Sequence, residues 1–298
     1  MSGKNTIVVG VDGSFESATA LDWAIAEAAR RGGGVQIVHL AWMPVVAAFG
    51  DLSMLAPPDS LLDYGKQVLH LARERAAERD PAVHVETTLL VRRPDEGLIE
   101  AAADAGLIVV GASGLSGWGG RTVGSVTSRV AASAHCPTVV VPSGAVPTEG
   151  PVVVGVDGSA HGDAALALAM SEAALRGSEL IAVHAFGVPL APMAMADPDT
   201  SANVVAHERQ RAMDVADQAV ARARAAVPAE VEVTTRVERG GAADLLLTAG
   251  QDAALLVVGS RGYGRLRGLF LGSVSQAVLH QASRPVAVVH TPDPDTGV

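Results

Sequence analysis

The chain has 298 residues, 49% of them hydrophobic, enough for one large domain or two ordinary ones with a substantial core. Its formal net charge of −10 argues against a nucleic-acid-binding or anionic-membrane surface, since each needs a basic face. A single cysteine, Cys136, excludes an intrachain disulfide and a cysteine metal cluster. Met1 to Asn5 carries no apolar signal core and no apolar run reaches membrane-spanning length, so the expectation is a soluble cytoplasmic protein.

Thr6 to Val11 is rich in β-branched residues and reads as a buried strand. Ala18 to Arg31 follows as a helix with Leu21, Ile25 and Ala28 on one face, ended by Gly32-Gly33-Gly34. Val35 to Leu40 is the second strand, Met43 to Pro58 an irregular loop with three prolines, and Ser60 to Glu78 a helix. Val83 to Val91, Leu107 to Val110 and Thr138 to Val141 read as strands, separated by helices over Asp95 to Ala105 and Val126 to Ala134. The second half repeats this with strands near Val152–Val156, Glu179–Val183, Val231–Val237, Ala254–Val258 and Val286–Val289, and a long helix from Asn203 to Ala225. Alternation of this kind predicts an α/β fold: a mainly parallel sheet with helices on both faces.

The chain is a tandem duplication. VVGVDGS occurs at Val8–Ser14 and again at Val153–Ser159, an offset of 145 residues that also relates Val38-His39 to Val183-His184. From the fourth strand onward the offset is 148: Val109-Val110-Gly111 matches Val257-Val258-Gly259, and Gly124-Ser125-Val126 matches Gly272-Ser273-Val274. A period this long means two domains, 1–145 and 150–292, joined through the Pro/Gly-rich stretch Pro142 to Pro151.

The most informative stretch is Val110 to Ser125, in which Gly111 and Gly114 are followed after nine residues by Gly124-Ser125. Gly259, Gly262 and Gly272-Ser273 repeat that spacing after Val258. Strand, glycine loop, helix suits an anionic phosphate, because glycines admit close backbone approach and a helix N-terminus adds a positive dipole. Asp12 and Asp157 end the first strands. If strands one and four are neighbours, each aspartate faces a glycine loop across one crevice, where it can accept hydrogen bonds from a ribose or a base. Asp12 can alternatively serve only as a turn or cap former. Neither loop ends in Gly-Lys-[Ser/Thr], against a P-loop motor, and no G-x-G-x-x-G follows the first strand, against a dinucleotide dehydrogenase.

These motifs resemble the universal stress protein family, in its ATP-binding branch, over nearly the whole chain and in tandem. The carrying features are the VGVDGS strand, the strand ending Val-His, and the G-x2-G-x9-G-[ST] loop. The resemblance implies two doubly wound domains with strand order 3-2-1-4-5, one ATP per domain, with Mg2+, and pairing through the fifth strands, Thr138 to Val141 and Val286 to Val289, as in a homodimer. It implies that Asp12 and Asp157 contact adenine and ribose with backbone from Gly10, Val11, Gly155 and Val156, and that Leu40 and Ala185 present backbone to the adenine edge. Val110, Gly111, Gly114, Gly124, Ser125 and Val126 would hold ribose and phosphates in the first domain. Val258, Gly259, Arg261, Gly262, Gly272, Ser273 and Val274 would do so in the second. Thr127 and Ser275 would add hydroxyls to phosphate. Ser113 stands where the second loop has Arg261, a departure that lets the two sites differ in affinity.

The remaining candidates are weaker. His39 and His184 read as packed strand ends, and His135-Cys136 as filling before Pro137, because the second copy has Ser283-Arg284 there. Arg121, Arg265 and Arg267 read equally as a triphosphate screen or as solvated loop charges, and Met193 to Met195 as a loop or a partner surface. An ATP-binding stress-response regulator of unknown protein partner, and no enzyme, is the leading expectation. The alternatives are a slow ATPase or self-phosphorylating protein, a binder of cyclic AMP or AMP, and a ligand-free dimerisation module.

Overall fold

A computed structural model describes residues 3–42, 59–114, 123–144, 147–188, 198–262 and 271–291. The loop expected over Met43 to Pro58, the Met193 to Met195 stretch, and Arg121, Arg265 and Arg267 lie outside the described residues. The chain divides into two compact units, Met1–Val146 and Pro147–Val298.

In the first unit the order is β1 (Gly3–Gly10), α1 (Phe15–Arg31), β2 (Gly34–Leu40), α2 (Asp59–Arg79), β3 (His84–Leu90), α3 (Pro94–Ala101), β4 (Ala105–Gly111), α4 (Ser125–Ser133) and β5 (Thr138–Val141). The second unit holds β6 (Val152–Gly155), α5 (Ala160–Arg176), β7 (Leu180–Phe186), α6 (Pro198–Ala226), β8 (Val233–Arg239), α7 (Ala242–Ala249), β9 (Leu255–Gly259), α8 (Ser273–Gln281) and β10 (Val286–Val289). The first unit's strands run β3-β2-β1-β4-β5 and the second's β8-β7-β6-β9-β10, every neighbouring pair within a unit being parallel. Both units thus have the expected order 3-2-1-4-5.

That order and the right-handed crossover rule place the helices. The chain steps one way from β1 to β2 to β3, then reverses to reach β4 and β5, so α1 and α2 cover one face and α3 and α4 the other. The packing of α1 on α2 and of α3 on α4 agrees. Central strands are covered on both faces and are continuously apolar: Ile7, Val8 and Val9 in β1 and Leu107 to Val110 in β4 are all buried. The edge strand β3 is only partly covered.

Several boundaries differ from those read off the sequence. Helix α1 starts at Phe15, three residues before the expected Ala18, because the Ser14 side chain accepts from the Ser17 amide and caps it. Phe15 is 66% exposed, so it escapes the apolar period that marks the helix. Helix α3 stops at Ala101 and not at Ala105, since Ala105 is already paired with Gly3 in the sheet. Both first helices end on a left-handed glycine, Gly32 at φ 60° and Gly177 at φ 59°.

Ion pairs tie the first two helices of each unit together. Asp22 on α1 accepts from Arg75 at 2.7 and 2.8 Å and from Arg79 at 2.7 Å. In the second unit Asp163 takes a two-pronged contact from Arg222, at 3.0 and 2.9 Å. The buried carboxylate of Glu27 is held by Arg30 and Arg31, and Glu172, the matching residue, by Arg176.

Candidate functional site

Each unit reverses strand order between its first and fourth strands, and the carboxyl ends of those strands frame a crevice. In the first unit the Asp12 Oδ1 atom accepts from the Ser14 amide at 3.0 Å and from its hydroxyl at 2.6 Å. Asp157 repeats this with Ser159 at 2.9 and 2.6 Å. One carboxylate oxygen therefore shapes the turn, and the serine, not the aspartate, caps the following helix. The other oxygen faces the glycine loop. A Cβ on Gly262 would lie 2.5 Å from Asp157 Oδ2, and one on Gly114 would collide with Asp12 Oδ2 in the same way. Only glycine fits so close to the carboxylate. The structure thus brings Asp12 together with Gly114, and Asp157 with Gly262.

The helices that follow the loops begin without a side-chain cap. Gly124 and Gly272 are the N-cap residues of α4 and α8, and neither has a side chain to bond the first-turn amides. The Gly124 amide itself donates to the Ala112 carbonyl and that of Gly272 to the Ser260 carbonyl, both at 2.8 Å. Ser125 and Val126, and Ser273 and Val274, occupy the first turns beyond them. Uncapped amides at a helix N-terminus, preceded by glycines, bind an anion without any basic residue. Helix α4 is held in place by Arg129, whose contact with Asp95 on α3 spans 3.1 Å. Burial pushes the Asp95 carboxyl up, but hydrogen bonds from Arg129 and Arg93 outweigh it and hold the group below the usual carboxylate range.

Two sets of the expected site residues have partners within the protein. Thr127 Oγ1 donates to the Gly111 carbonyl at 2.8 Å, and Ser275 Oγ lies 3.1 and 2.9 Å from the carbonyls of Ser260 and Gly272, one of which takes its proton. Both side chains are buried. A hydroxyl has one proton, and here it is spent on a carbonyl, so Thr127 and Ser275 brace the loop. The second set is Val11 and Val156. Their amides donate to the Val38 and Val183 carbonyls at 2.9 Å, extending the strand ladders. Gly10 and Gly155 serve packing, since a Cβ on each would meet Leu98 or Leu246 at 3.0 Å.

Leu40 ends β2 and Ala185 lies one residue before the end of β7. The Val38 carbonyl faces β1, where it accepts from Val11, and backbone direction alternates along a strand. The amide and carbonyl of Leu40, two residues on, face the same side beyond the end of β1, toward the crevice. Ala185 stands in the same relation to Val183 and β6. Val110 and Val258 are buried strand residues and contribute backbone alone. Arg261 and Ser113 sit at matched loop positions, half-buried.

His39 Nδ1 lies 2.8 Å from the Val11 carbonyl and His184 Nδ1 lies 2.6 Å from that of Val156. A carbonyl only accepts, so Nδ1 carries the proton in both, and the rings lock the first strand to the second. Tyr64 was not legible as a site residue. Its hydroxyl donates to the Asp12 carbonyl at 3.1 Å and its ring meets His39 edge-on at 6.0 Å. No periodic or motif signal marks it; only the packing of α2 on β2 and β3 brings it there. Among the described residues no cluster of three or more histidine, cysteine, aspartate or glutamate side chains is arranged to hold a metal ion, and no helix is long and apolar enough to cross a membrane.

A family model described as "Universal stress protein family" matches residues 4–142 and again 150–290. Universal stress protein Rv2005c of Mycobacterium tuberculosis strain H37Rv is 34% identical over 301 residues, covering 96% of this chain and 97% of that protein. Universal stress protein Rv2623 of the same strain is 34% identical over 306 residues, covering 97% and 98%. The crystal structure of a universal stress protein from Archaeoglobus fulgidus has the same fold, with a TM-score of 0.69 and 20% identity over 98% of each chain.

Proposed function

The chain belongs to the universal stress protein family, and we propose that each of its units binds one ATP, with Mg2+ carried on the phosphates, so that the protein works as a nucleotide-dependent regulator. One observation carries this reading: in both units a glycine of the loop abuts the aspartate ending the first strand so closely that an added side chain would force carboxylate or loop to shift. Two copies have kept the same cramped geometry. A turn alone does not require it; a ligand gripped between carboxylate and loop does. In this reading the adenine edge meets the backbone of Leu40 or Ala185, the ribose meets Asp12 or Asp157, and the phosphates meet the uncapped amides of Ser125–Val126 or Ser273–Val274. The residues fit a nucleotide: acceptors at the base end, donors at the phosphate end, and glycines where the backbone must come close.

The reading is of a binding module and not of a catalyst, because in each unit the carboxylate that ends the first strand is already half committed to its serine. A cytoplasmic location, self-association into a homodimer and docking of a protein partner belong to the same reading. Native mass spectrometry of freshly purified protein, with denaturing extraction of carried-over nucleotide, tests it. The expected result is two ATP per chain and a thermal shift on adding millimolar Mg-ATP. Neither bound nucleotide nor a shift would overturn it, and extraction of cyclic AMP or AMP alone would replace ATP with that ligand.

A further inference from the structure

The offsets that align the two copies match Glu16 with His161, Ser143 with Thr291, and Ser113 with Arg261. The contacts match as well. A Cβ on Gly111 would lie 2.9 Å from the Glu16 carbonyl carbon and 3.0 Å from its Cβ; on Gly259 the same distances are to His161. Glu16 Oε1 accepts from Ser143 Oγ at 3.2 Å, and His161 Nε2 lies 3.1 Å from Thr291 Oγ1. The same rim position, tethered in the same way, is thus an anion in one unit and an imidazole in the other. Beside it the loop carries a neutral hydroxyl in the first unit and a guanidinium in the second. Among the described residues no carboxylate pairs with Arg261.

We propose, resting on the nucleotide reading above, that the two sites are tuned to different phosphate charge: the second unit selects the nucleoside triphosphate, and the first takes mono- and triphosphates with little distinction. With the imidazole neutral, the two positions sum to −1 in the first unit and +1 in the second, a difference of two unit charges. In metal-free buffer ATP carries about two more negative charges than AMP. Over roughly 8 Å in water, with screening of about the same length, this sets the ATP-over-AMP preference of the second site about fourfold above that of the first.

The test is calorimetric titration in EDTA-containing buffer with ATP and with AMP. Asp12→Ala protein reports the second site and Asp157→Ala the first. The expected result is an ATP-to-AMP affinity ratio about fourfold larger in the Asp12→Ala protein. Exchanging the charges, by Arg261→Ser with His161→Glu in one background and Ser113→Arg with Glu16→His in the other, should reverse the order of the ratios. Equal ratios, or ratios indifferent to the exchange, overturn the proposal while leaving two working nucleotide sites. Absence of any binding by the unmutated chain overturns the nucleotide reading itself. If an aspartate variant fails to fold, native mass spectrometry of the unmutated chain at limiting ligand decides. Selective tuning gives ATP loading that departs further from a binomial mixture than AMP loading does, a departure the Arg261→Ser variant reduces, and equal sites give a binomial mixture that the variant leaves binomial.

Discussion

Replacing Gly262 with alanine is the most direct probe of the loop. The added methyl would lie 2.5 Å from Asp157 Oδ2, whereas ordinary contact begins near 3.4 Å, so one partner must give by 0.9 Å. The carboxylate resists, because its other oxygen holds both the amide and the hydroxyl of Ser159. Hydrogen bonds to a charged group contribute about 1.5–3 kcal/mol each, so moving the loop is the cheaper relaxation. A loop displaced by close to 1 Å misplaces the donors it carries. Gly262→Ala should lower ATP affinity of the second site at least about tenfold and destabilise the protein by about 1–3 kcal/mol. That corresponds to a fall in Tm of about 3–10 °C for a unit of this size. Gly272→Ala is the control: its methyl meets its nearest neighbours at 3.4 and 3.5 Å, and its φ of −63° suits any residue. It should retain most of the affinity. Titration calorimetry and thermal melts of both variants decide the matter, and wild-type affinity in Gly262→Ala would refute the steric argument.

Three further outcomes follow from the side-chain network. Thr127→Val should leave the Gly111 carbonyl unpaired and cost about 1–3 kcal/mol in urea unfolding, even without ligand; an unchanged apo stability would restore the hydroxyl to a ligand role. Burial pushes the Asp22 carboxyl up, but the hydrogen bonds from Arg75 and Arg79 prevail and lower it. A group depressed in the folded state stabilises above its unfolded pKa of about 4 and loses that contribution as pH falls through the folded value. Asp22→Asn should therefore flatten the acid limb of stability below about pH 4 and cost under about 1 kcal/mol at neutral pH, since both arginines are largely exposed. Burial pushes the Cys136 thiol up to about 11. Alkylation at pH 8 should be slow in native protein and fast in denaturant, and rapid native labelling would contradict that burial.

Much of the architecture is legible in the sequence because it is written twice. Two registers of repetition, 145 and 148 residues, align strands whose apolar character is too continuous to be anything but central. The glycine loops and the strand-ending aspartates are legible for the same reason. What escapes is direction. Thr127 and Ser275 look like phosphate donors from their place after the loop, yet their hydroxyls turn inward, and the sequence does not encode which way a rotamer faces. Val11 looks like a ligand contact, yet its amide belongs to the ladder with Val38. Tyr64 reaches Asp12 across 52 positions, a proximity that only packing creates. The matched pair Glu16 and His161 was within reach, since the repeat aligns them, but their departure from each other gains meaning only once both are seen against the fourth strand.

The contrast between capped and uncapped helices has a consequence for design. Ser14 and Ser159 finish α1 and α5 from within, while α4 and α8 start on bare glycine. A serine or aspartate in place of Gly124 or Gly272 would be the obvious stabilising substitution for an engineer, and it would compete with any anion for the same amides. Thermostability screens run without ligand would select such changes and discard the site along the way. The two helices are left unfinished, and whatever anion completes them becomes a removable part of the fold.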